Sequence, residues 1–323
     1  MTVRVGIVSY NTADLLDACL HALPAALDGL EATVVVVDNA SSDDSAARAR
    51  AHGVTVIENP TNVGYARAMN QALAGEDDVL IACNPDAAPP PGALATLVRS
   101  LLDDERCALV APRLLHADGR LQHSVHRFPT PWTSVALAVL PGRVRRGELG
   151  RRLWLEGAAD HEQRTTIDWA IGAVHVIRAR ALEGEPPYDE RWFMYIEDLD
   201  LCWRLQQRGW TVVLDGTVAV PHVGNVAGAA TWGARRTPRV LWATYDWVRL
   251  RQGPMRQRAY ALANLVAHVG LVLRPAVATP FSGRARRLTR RRWTALRSTS
   301  PIHLRALVLG PTGQEAAWGP PIP

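Results

Sequence analysis

Four short apolar runs in the first hundred residues restrict the fold more than any other feature. They are Val3–Ser9, the almost pure valine stretch Thr33–Val37, Val54–Glu58 and Val79–Cys83. Continuous β-branched runs of this length suit parallel strands buried on both faces. Helical spacing fills the gaps. In Thr12–Leu27, Leu15, Leu16, Cys19, Leu20 and Leu23 fall on one side, and Asp43–His52, Tyr65–Ala74 and Pro91–Leu102 follow. Pro91 is expected at the first helical position, where a missing N–H costs no hydrogen bond. The β-α-β-α order implies right-handed crossovers and a doubly wound, mostly parallel α/β sheet. Ligands in such sheets bind at the carboxyl ends of the strands. Three polar clusters stand at those ends: Ser9-Tyr10-Asn11, Asp38-Asn39-Ala40-Ser41-Ser42 and Asn84-Pro85-Asp86.

Residues 103–165 are less regular, with a short helix expected at Trp132–Leu140 and a basic stretch at Arg143–Arg152. A second ordered block runs from Asp168 to His222. Beyond it, Thr237–Arg251, Met255–Leu273 and Arg284–Arg297 read as helices separated by proline and glycine breaks. The expected division is a catalytic domain over 1–235, with a nucleotide-binding half (1–103) and an acceptor half (104–235), and a basic helical extension over 236–323. The 323 residues suffice for this, and 48% hydrophobic with 21% charged residues excludes a disordered chain. Cys19, Cys83, Cys107 and Cys202 form no CxxC pair, so they read as buried free thiols in a reducing compartment. The N-terminus reads as a strand and not as a signal peptide.

Three kinds of chemistry are open to these polar clusters: holding a base or ribose, offsetting phosphate charge, and taking a proton from an attacking hydroxyl. Asp38 can accept hydrogen bonds from a base or ribose, or belong to a helix-capping loop in which Asp43 or Ser42 is the cap. Asn62 can cap the helix that Gly64 enters, Gly64 permitting a tight entry. Arg67 either offsets phosphate charge or lies on a solvated face. Asp86 can ligate a hard divalent cation, which takes one or two protein carboxylates beside a diphosphate, or stand in an Asn-Pro-Asp turn. Glu197, Asp198 and Asp200 open an amphipathic helix after the aromatic run Trp192-Phe193-Met194-Tyr195. Acids there complement the helix dipole, yet three exceed what capping requires. A carboxylate against an apolar wall has a raised pKa, which suits a general base. His222, ending the run Val218–Pro221, is either a metal ligand or a structural histidine.

Taken in order, Ile7–Asn11, Val37–Ser41, Asn59–Asn70, Asn84–Asp86, Asp168–Ala173, Phe193–Arg204 and His222 resemble the family 2 glycosyltransferases, especially their bacterial rhamnosyltransferase-like branch. The resemblance covers roughly residues 3–225. It implies a GT-A fold, Rossmann-like with a C-terminal helical extension here, and an inverting enzyme. Ser9, Tyr10, Asn11, Asp38, Asn62, Gly64, Arg67 and Asn84 would then bind the nucleotide. Asp86, with His222, would hold Mg²⁺ or Mn²⁺. Asp198, with Glu197, would supply the base. Asp168, Trp169, Gly172, Ala173, Trp192 and Asp200 would line the sugar or acceptor pocket. Two departures stand out. Asn84 replaces the first acid of an Asp-x-Asp, and Glu185-Pro186-Pro187-Tyr188-Asp189 replaces a Gly-Gly-Phe-Asp.

The resemblance favours a dTDP-deoxysugar such as dTDP-rhamnose, with a UDP- or GDP-sugar next. The acceptor is a cell-envelope glycan, a glycolipid or a small natural product. Nucleotidyl transfer would want a glycine-rich basic signature near the N-terminus, which is lacking; an inactive binding protein on the same fold is the third reading. All the basic residues are arginine and the formal net charge is +5. Ala259–Leu273 falls short of the roughly 20 residues needed to span a bilayer. Arg284–Arg297 sets seven arginines around Leu288, Trp293 and Leu296, a pattern suited to an anionic membrane surface through 255–297, and equally to a solvated face or a nucleic-acid patch. The expected location is cytoplasmic, at the inner face of the membrane, with no nucleic-acid partner.

Overall fold

The β-branched runs form strands where the sequence expects them. In the computed structural model, β1 (Val3–Ser9) pairs in parallel with β2 (Ala32–Asp38) and β4 (Val79–Cys83), and β2 with β3 (Thr55–Glu58). The connections are α1 (Ala13–Leu27), α2 (Ser45–Ala51) and α3 (Tyr65–Ala72). Val5, Ile7, Val36, Val79 and Ile81 are wholly buried, so β1, β2 and β4 carry the core, while β3 at the sheet edge is only partly covered. The described residues are 1–140, 144, 162–224, 236–278 and 299–310; the expectations for 145–152 and 284–297 lie outside them.

After α4 (Ala93–Leu102), the sheet grows through β5 (Cys107–Leu115), β7 (Arg164–Thr166), β9 (Val174–Arg178) and β10 (Thr211–Pro221). The eight strands lie in the order β3-β2-β1-β4-β9-β5-β10-β7. β9 runs antiparallel between β4 and β5, while β10 is parallel to β5. A small ribbon pairs β6 (Val125–His126) with β8 (Trp169–Ala170). Helix α6 (Glu197–Gln207) precedes β10.

Two expectations need correction. The region read as irregular contains β5, a nine-residue interior strand. Its Pro112 reads as a strand breaker, but it sits beside the register shift between Asp215 and Ala219 of β10, where the regular ladder is already interrupted. Pro91 also lies before its helix, because Gly92 takes the N-cap of α4 and donates its N–H to Ala25 O at 2.9 Å. The proline-first helix is instead α5 (Pro131–Val139), where Thr130 Oγ1 accepts from Thr133 N at 3.3 Å.

Contacts divide the described residues into two compact units, 1–127 with 162–224, and 128–140 and 144 with 236–278 and 299–310. Residues 128–140, expected in the first domain, group with the C-terminal helices. In that second unit, α5 and α7 (Arg236–Gln252) pack on α8 (Pro254–Ala278), and Tyr245, Ala261, Ile302 and Ala306 form its core. Ser134 Oγ donates to Asn264 Oδ1 at 2.8 Å, and Tyr245 Oη lies 2.5 Å from His303 Nδ1. Burial pushes the His303 imidazole down to about 4, so it stays neutral in that core.

One buried cation ties the middle of the sheet together. Arg178, at the end of β9, donates to the carbonyls of Cys107 (2.7 Å), Asp104 (3.0 Å) and Leu101. These carbonyls lie where α4 ends and β5 begins, and helix-end carbonyls lack partners within the helix. Replacing Arg178 by Met takes a donor from each of them, Asp104 O keeping only the N–H of Cys107 at 2.9 Å. The expected cost is about 2 kcal/mol, read as a lowered urea midpoint with an unchanged slope; an unchanged midpoint would remove Arg178 from this role.

Candidate active site

The first unit gathers its polar side chains at the carboxyl ends of β1, β2 and β4. At the end of β2, Asp38 is 4% exposed. Its Oδ2 accepts from Ser41 N at 3.1 Å, while Oδ1 is buried with no hydrogen-bond partner in the protein. A carboxylate oxygen left so is costly unless a ligand supplies the donor. Next to it, Asn39 is a hub that the sequence reading passed over. Its Nδ2 donates to Asn62 Oδ1 (2.9 Å) and Gly64 O (3.3 Å), and its Oδ1 accepts from Asn59 Nδ2 (3.1 Å) and Val63 N (3.0 Å). The repeated asparagines at 39, 59 and 62 were the available signal, since a carboxamide both donates and accepts.

Several expected side chains are engaged in shaping this rim. Ser9 is buried and shares a 2.8 Å hydrogen bond with Thr12 Oγ1. Asn11, at φ 54°, accepts from Ser42 N at 2.7 Å. Tyr10 is half-buried between them. Asp43 is no N-cap of α2, that place being Asp44's; its Oδ2 accepts from Ala13 N at 3.0 Å, and its Oδ1 from Ser45 N at 3.1 Å. It therefore joins the starts of α1 and α2. Asn62 does not cap α3 either, because Gly64 is the N-cap and Asn62 Oδ1 accepts from Gly64 N at 3.0 Å. Gly64, at φ 87°, is required: a Cβ there would sit 2.7 Å from the Phe193 ring. The close approach lets Tyr65 N donate to Phe193 O at 2.7 Å, joining α3 to the aromatic run.

Asn84 and Asp86 follow β4. Asn84 Oδ1 accepts from the Tyr65 hydroxyl at 3.1 Å, and Asn84 N donates to Ala173 O at 2.8 Å. Asp86 Oδ2 accepts from Gly224 N at 3.1 Å, and its Oδ1 lies 3.2 Å from His222 Nε2. His222 is 4% exposed, and that nitrogen has no hydrogen-bond partner. Among the described residues no group of three or more His, Cys, Asp or Glu side chains could hold a metal. The donor set that does exist, one carboxylate oxygen and one unpartnered imidazole nitrogen, fits a divalent cation whose remaining ligands come from a diphosphate and water.

Opposite stand Glu197 and Asp198, in the first turn of α6 and both buried. Asp198 Oδ2 accepts from Gly172 N at 3.1 Å and its Oδ1 from Leu199 N at 2.7 Å. Glu197 Oε2 has no partner. Burial pushes Glu197 up to about 8, helped by the charge of Asp198. Burial also raises Asp198, to about 6, against the pull of those two N–H groups and of His126. Near neutrality Asp198 is therefore the acid of the pair that ionises first. Tyr65, also absent from the expected set, bridges the two sides, since its hydroxyl lies 3.4 Å from Gly172 O as well.

The expected pocket residues divide. Trp169 stacks on His126, with ring centroids 4.6 Å apart, and its indole N–H donates to Arg127 O at 3.0 Å. Arg127 also lies 3.6 Å from Asp168 Oδ1. Ala173 is wholly buried, and Trp192 is buried with its indole nitrogen unpartnered. Asp200 points elsewhere: it is fully buried and pairs with Arg204 Nε at 3.1 Å. Two residues along a helix is a 200° rotation, so Asp198 and Asp200 cannot share a face. Arg67 is exposed on α3, 3.9 Å from Glu190 Oε2.

The model of the family described as Glycosyl transferase family 2 matches residues 4–161. The N-acetylglucosaminyl-diphospho-decaprenol L-rhamnosyltransferase of Mycobacterium tuberculosis is 28% identical over 67% of this chain and 74% of its own. Rhamnosyltransferase WbbL of Escherichia coli is 25% identical over 49% of this chain and 56% of its own. Among solved structures, a mannosyltransferase from Pyrobaculum calidifontis, in complex with GDP-Man and Mn²⁺, superposes with TM-score 0.57 at 17% identity, covering 95% of this chain and 86% of that one. Glucosyl-3-phosphoglycerate synthase from Mycobacterium tuberculosis, with Mn²⁺ and uridine diphosphate, gives 0.51 at 18%, over 76% and 78%. With its mostly parallel sheet and its acids at the strand ends, the chain is a rhamnosyltransferase-like glycosyltransferase of GT-A fold, matching family 2 over residues 4–161.

Proposed function

We propose that the protein is an inverting transferase moving a deoxysugar from a dTDP donor, dTDP-rhamnose foremost, to a hydroxyl of a lipid-linked cell-envelope glycan. One observation carries this reading. Three buried polar atoms without a hydrogen-bond partner, Asp38 Oδ1, Glu197 Oε2 and His222 Nε2, gather with Asp86 and Asp198 near the carboxyl ends of β1, β2 and β4. The rhamnosyl relatives support the sugar, and the name of the mycobacterial relative supports a polyprenyl-diphosphate-linked acceptor. A UDP- or GDP-sugar is the second donor choice, and a small natural product the second acceptor.

In this reading Asp38 Oδ1 accepts from the base or ribose, and Asn84 faces the diphosphate. Asp86 and His222 would hold Mg²⁺ or Mn²⁺, which offsets diphosphate charge when bound. Asp198 accepts the proton of the acceptor hydroxyl as that oxygen attacks the anomeric carbon, and the C–O bond to the diphosphate breaks in line. Gly172 N–H and Leu199 N–H keep Asp198 ionised and aimed. Trp169 and His126 offer a flat apolar face to a sugar ring, and Asp168, Gly172 and Trp192 complete that side. Ser9, Tyr10, Asn11, Asn62 and Gly64 shape the nucleotide rim through the backbone, while Asp200 holds α6 through Arg204. Arg67 contributes positive charge at the rim.

We further infer that the second unit meets an anionic membrane surface. From Trp247 to Gln314 the chain has no acidic residue and 13 arginines. On α8, Met255, Leu262, Val266 and Val269 are exposed along one side, as are Leu304 and Val308 in the helical stretch 299–308 and Leu309 just after it. An apolar stripe among cations suits lipid headgroups. Among the described residues no helix is long and apolar enough to cross a membrane.

Three experiments test these readings. With dTDP-rhamnose and a polyprenyl-diphosphate-linked sugar, Asp198→Asn is expected to lower kcat by about 10²–10⁴-fold with donor affinity unchanged; normal turnover removes Asp198 as the base. Glu197 is raised from 4.5 in the unfolded chain to about 8, so its contribution to stability is full below pH 4.5 and lost as pH rises through 8. Urea unfolding should therefore show Glu197→Gln gaining on the parent between pH 5 and pH 9, and a constant difference would contradict the burial effect. In flotation with vesicles, the protein should rise with phosphatidylglycerol vesicles at low salt and stay below with phosphatidylcholine alone; equal behaviour in both rejects the membrane surface.

A further inference from the structure

His222 and Gln122 are both anchored on the end of β5. His222 N donates to Leu115 O at 2.8 Å, and Gln122 N donates to Leu114 O at 2.9 Å. Their side chains meet: His222 Nδ1 lies 2.9 Å from Gln122 Oε1. An amide oxygen only accepts, so Nδ1 carries the proton and Nε2 presents its lone pair. That lone pair is buried, has no hydrogen-bond partner, and faces Asp86 Oδ1 at 3.2 Å. A carboxylate oxygen and a bare imidazole nitrogen at that distance repel one another unless a cation, or a proton on Nε2, is shared between them.

Gly224 completes the arrangement. It adopts φ +77°, which turns its N–H onto Asp86 Oδ2 at 3.1 Å. A Cβ on Gly224 would stand 2.9 Å from Gln122 Nε2, so only glycine leaves room for the amide. Two residues thus fix two ligand atoms: Gln122 orients the imidazole, Gly224 orients the carboxylate, and the lack of a side chain at 224 lets both happen together.

We propose that Gln122 is the positioning residue of the cation site, holding His222 in the Nδ1–H tautomer so that Nε2 and Asp86 Oδ1 face one divalent ion. It rests on the reading of Asp86 and His222 as the cation ligands. Partners of this kind fix the tautomer and direction of a ligating imidazole, and their loss typically weakens metal affinity by roughly 10–100-fold.

The test uses the full chain and Mn²⁺ alone, with free Mn²⁺ followed by electron paramagnetic resonance. Gln122→Leu is expected to weaken Mn²⁺ binding by roughly 10–100-fold, and Gln122→Glu, which keeps an acceptor, to recover most of it. In the Mg²⁺-saturated parent, ¹⁵N spectra of the imidazoles, assigned with His222→Asn, are expected to show His222 protonated at Nδ1 and bare at Nε2. If Asp86→Asn and His222→Asn bind Mn²⁺ as the parent does, the cation reading and this proposal fall together. If those two weaken binding and Gln122→Leu does not, the role of Gln122 alone is overturned. Should Gln122→Leu not fold, an Nε2–H tautomer in the parent spectrum overturns it independently.

Discussion

The hydrogen bond from Gly172 N–H to Asp198 is the contact on which the rest of the site depends. It exists because β9 enters the sheet backwards, between β4 and β5, and so begins at the end where β1, β2 and β4 finish. The turn before β9 is thereby delivered to the strand ends and stapled there. Ile171 N donates to Ser124 O, Asn84 N donates to Ala173 O, and His175 Nε2 lies 3.2 Å from Ala170 O. Burial lowers the His175 imidazole to about 4, which keeps it neutral beside the acids. A single short turn thus connects the element carrying Asp86 to the helix carrying Asp198. Shifting it would move both halves of the site at once.

Legibility in the sequence followed physical range. β4 ends at Cys83 as expected, and β1 spans Val3–Ser9, because a strand buried on both faces declares itself by unbroken apolar residues. The acids of α6 were legible because three carboxylates in one turn exceed the needs of a helix dipole. What the sequence concealed was pairing at a distance. Nothing local marks β9 as antiparallel, and Pro112 disguised β5 until its bulged partner was known. Asn39 and Gln122 stood inside or beside recognisable stretches, yet their roles depend on partners up to 100 residues away. Asp200 was read with Asp198 from proximity in sequence, where helical rotation separates them.

The buried acids impose a thermodynamic conflict that the fold must absorb. Glu197 and Asp198 lie in contact with an apolar wall that includes Ile196 and Leu199, and burial disfavours the charge that a base requires. The fold answers unevenly: both acids meet backbone N–H groups, but Glu197 keeps Oε2 unpartnered and also feels the charge of Asp198. That difference separates two chemically similar residues into one that ionises first and one that holds its proton longer. Core elsewhere offsets the penalty, as in the fully buried Leu201, Cys202 and Leu205, which continue the face of the helix that carries Asp198.

Asn84 shows the same economy of charge. An aspartate there would set a second buried carboxylate near Asp86, with the Glu197–Asp198 pair already close to Tyr65. The carboxamide instead uses Oδ1 to accept from the Tyr65 hydroxyl, whose own ionisation is pushed well above its usual range by burial and by those acids. Tyr65 therefore remains a donor, and Asn84 keeps its Nδ2 hydrogens, which favour an anion. With one carboxylate and one neutral imidazole as ligands, a divalent cation at Asp86 and His222 would retain net positive charge toward a diphosphate. An asparagine at 84 would thus loosen the protein's hold on such a cation while leaving more of the cation's field for the leaving group.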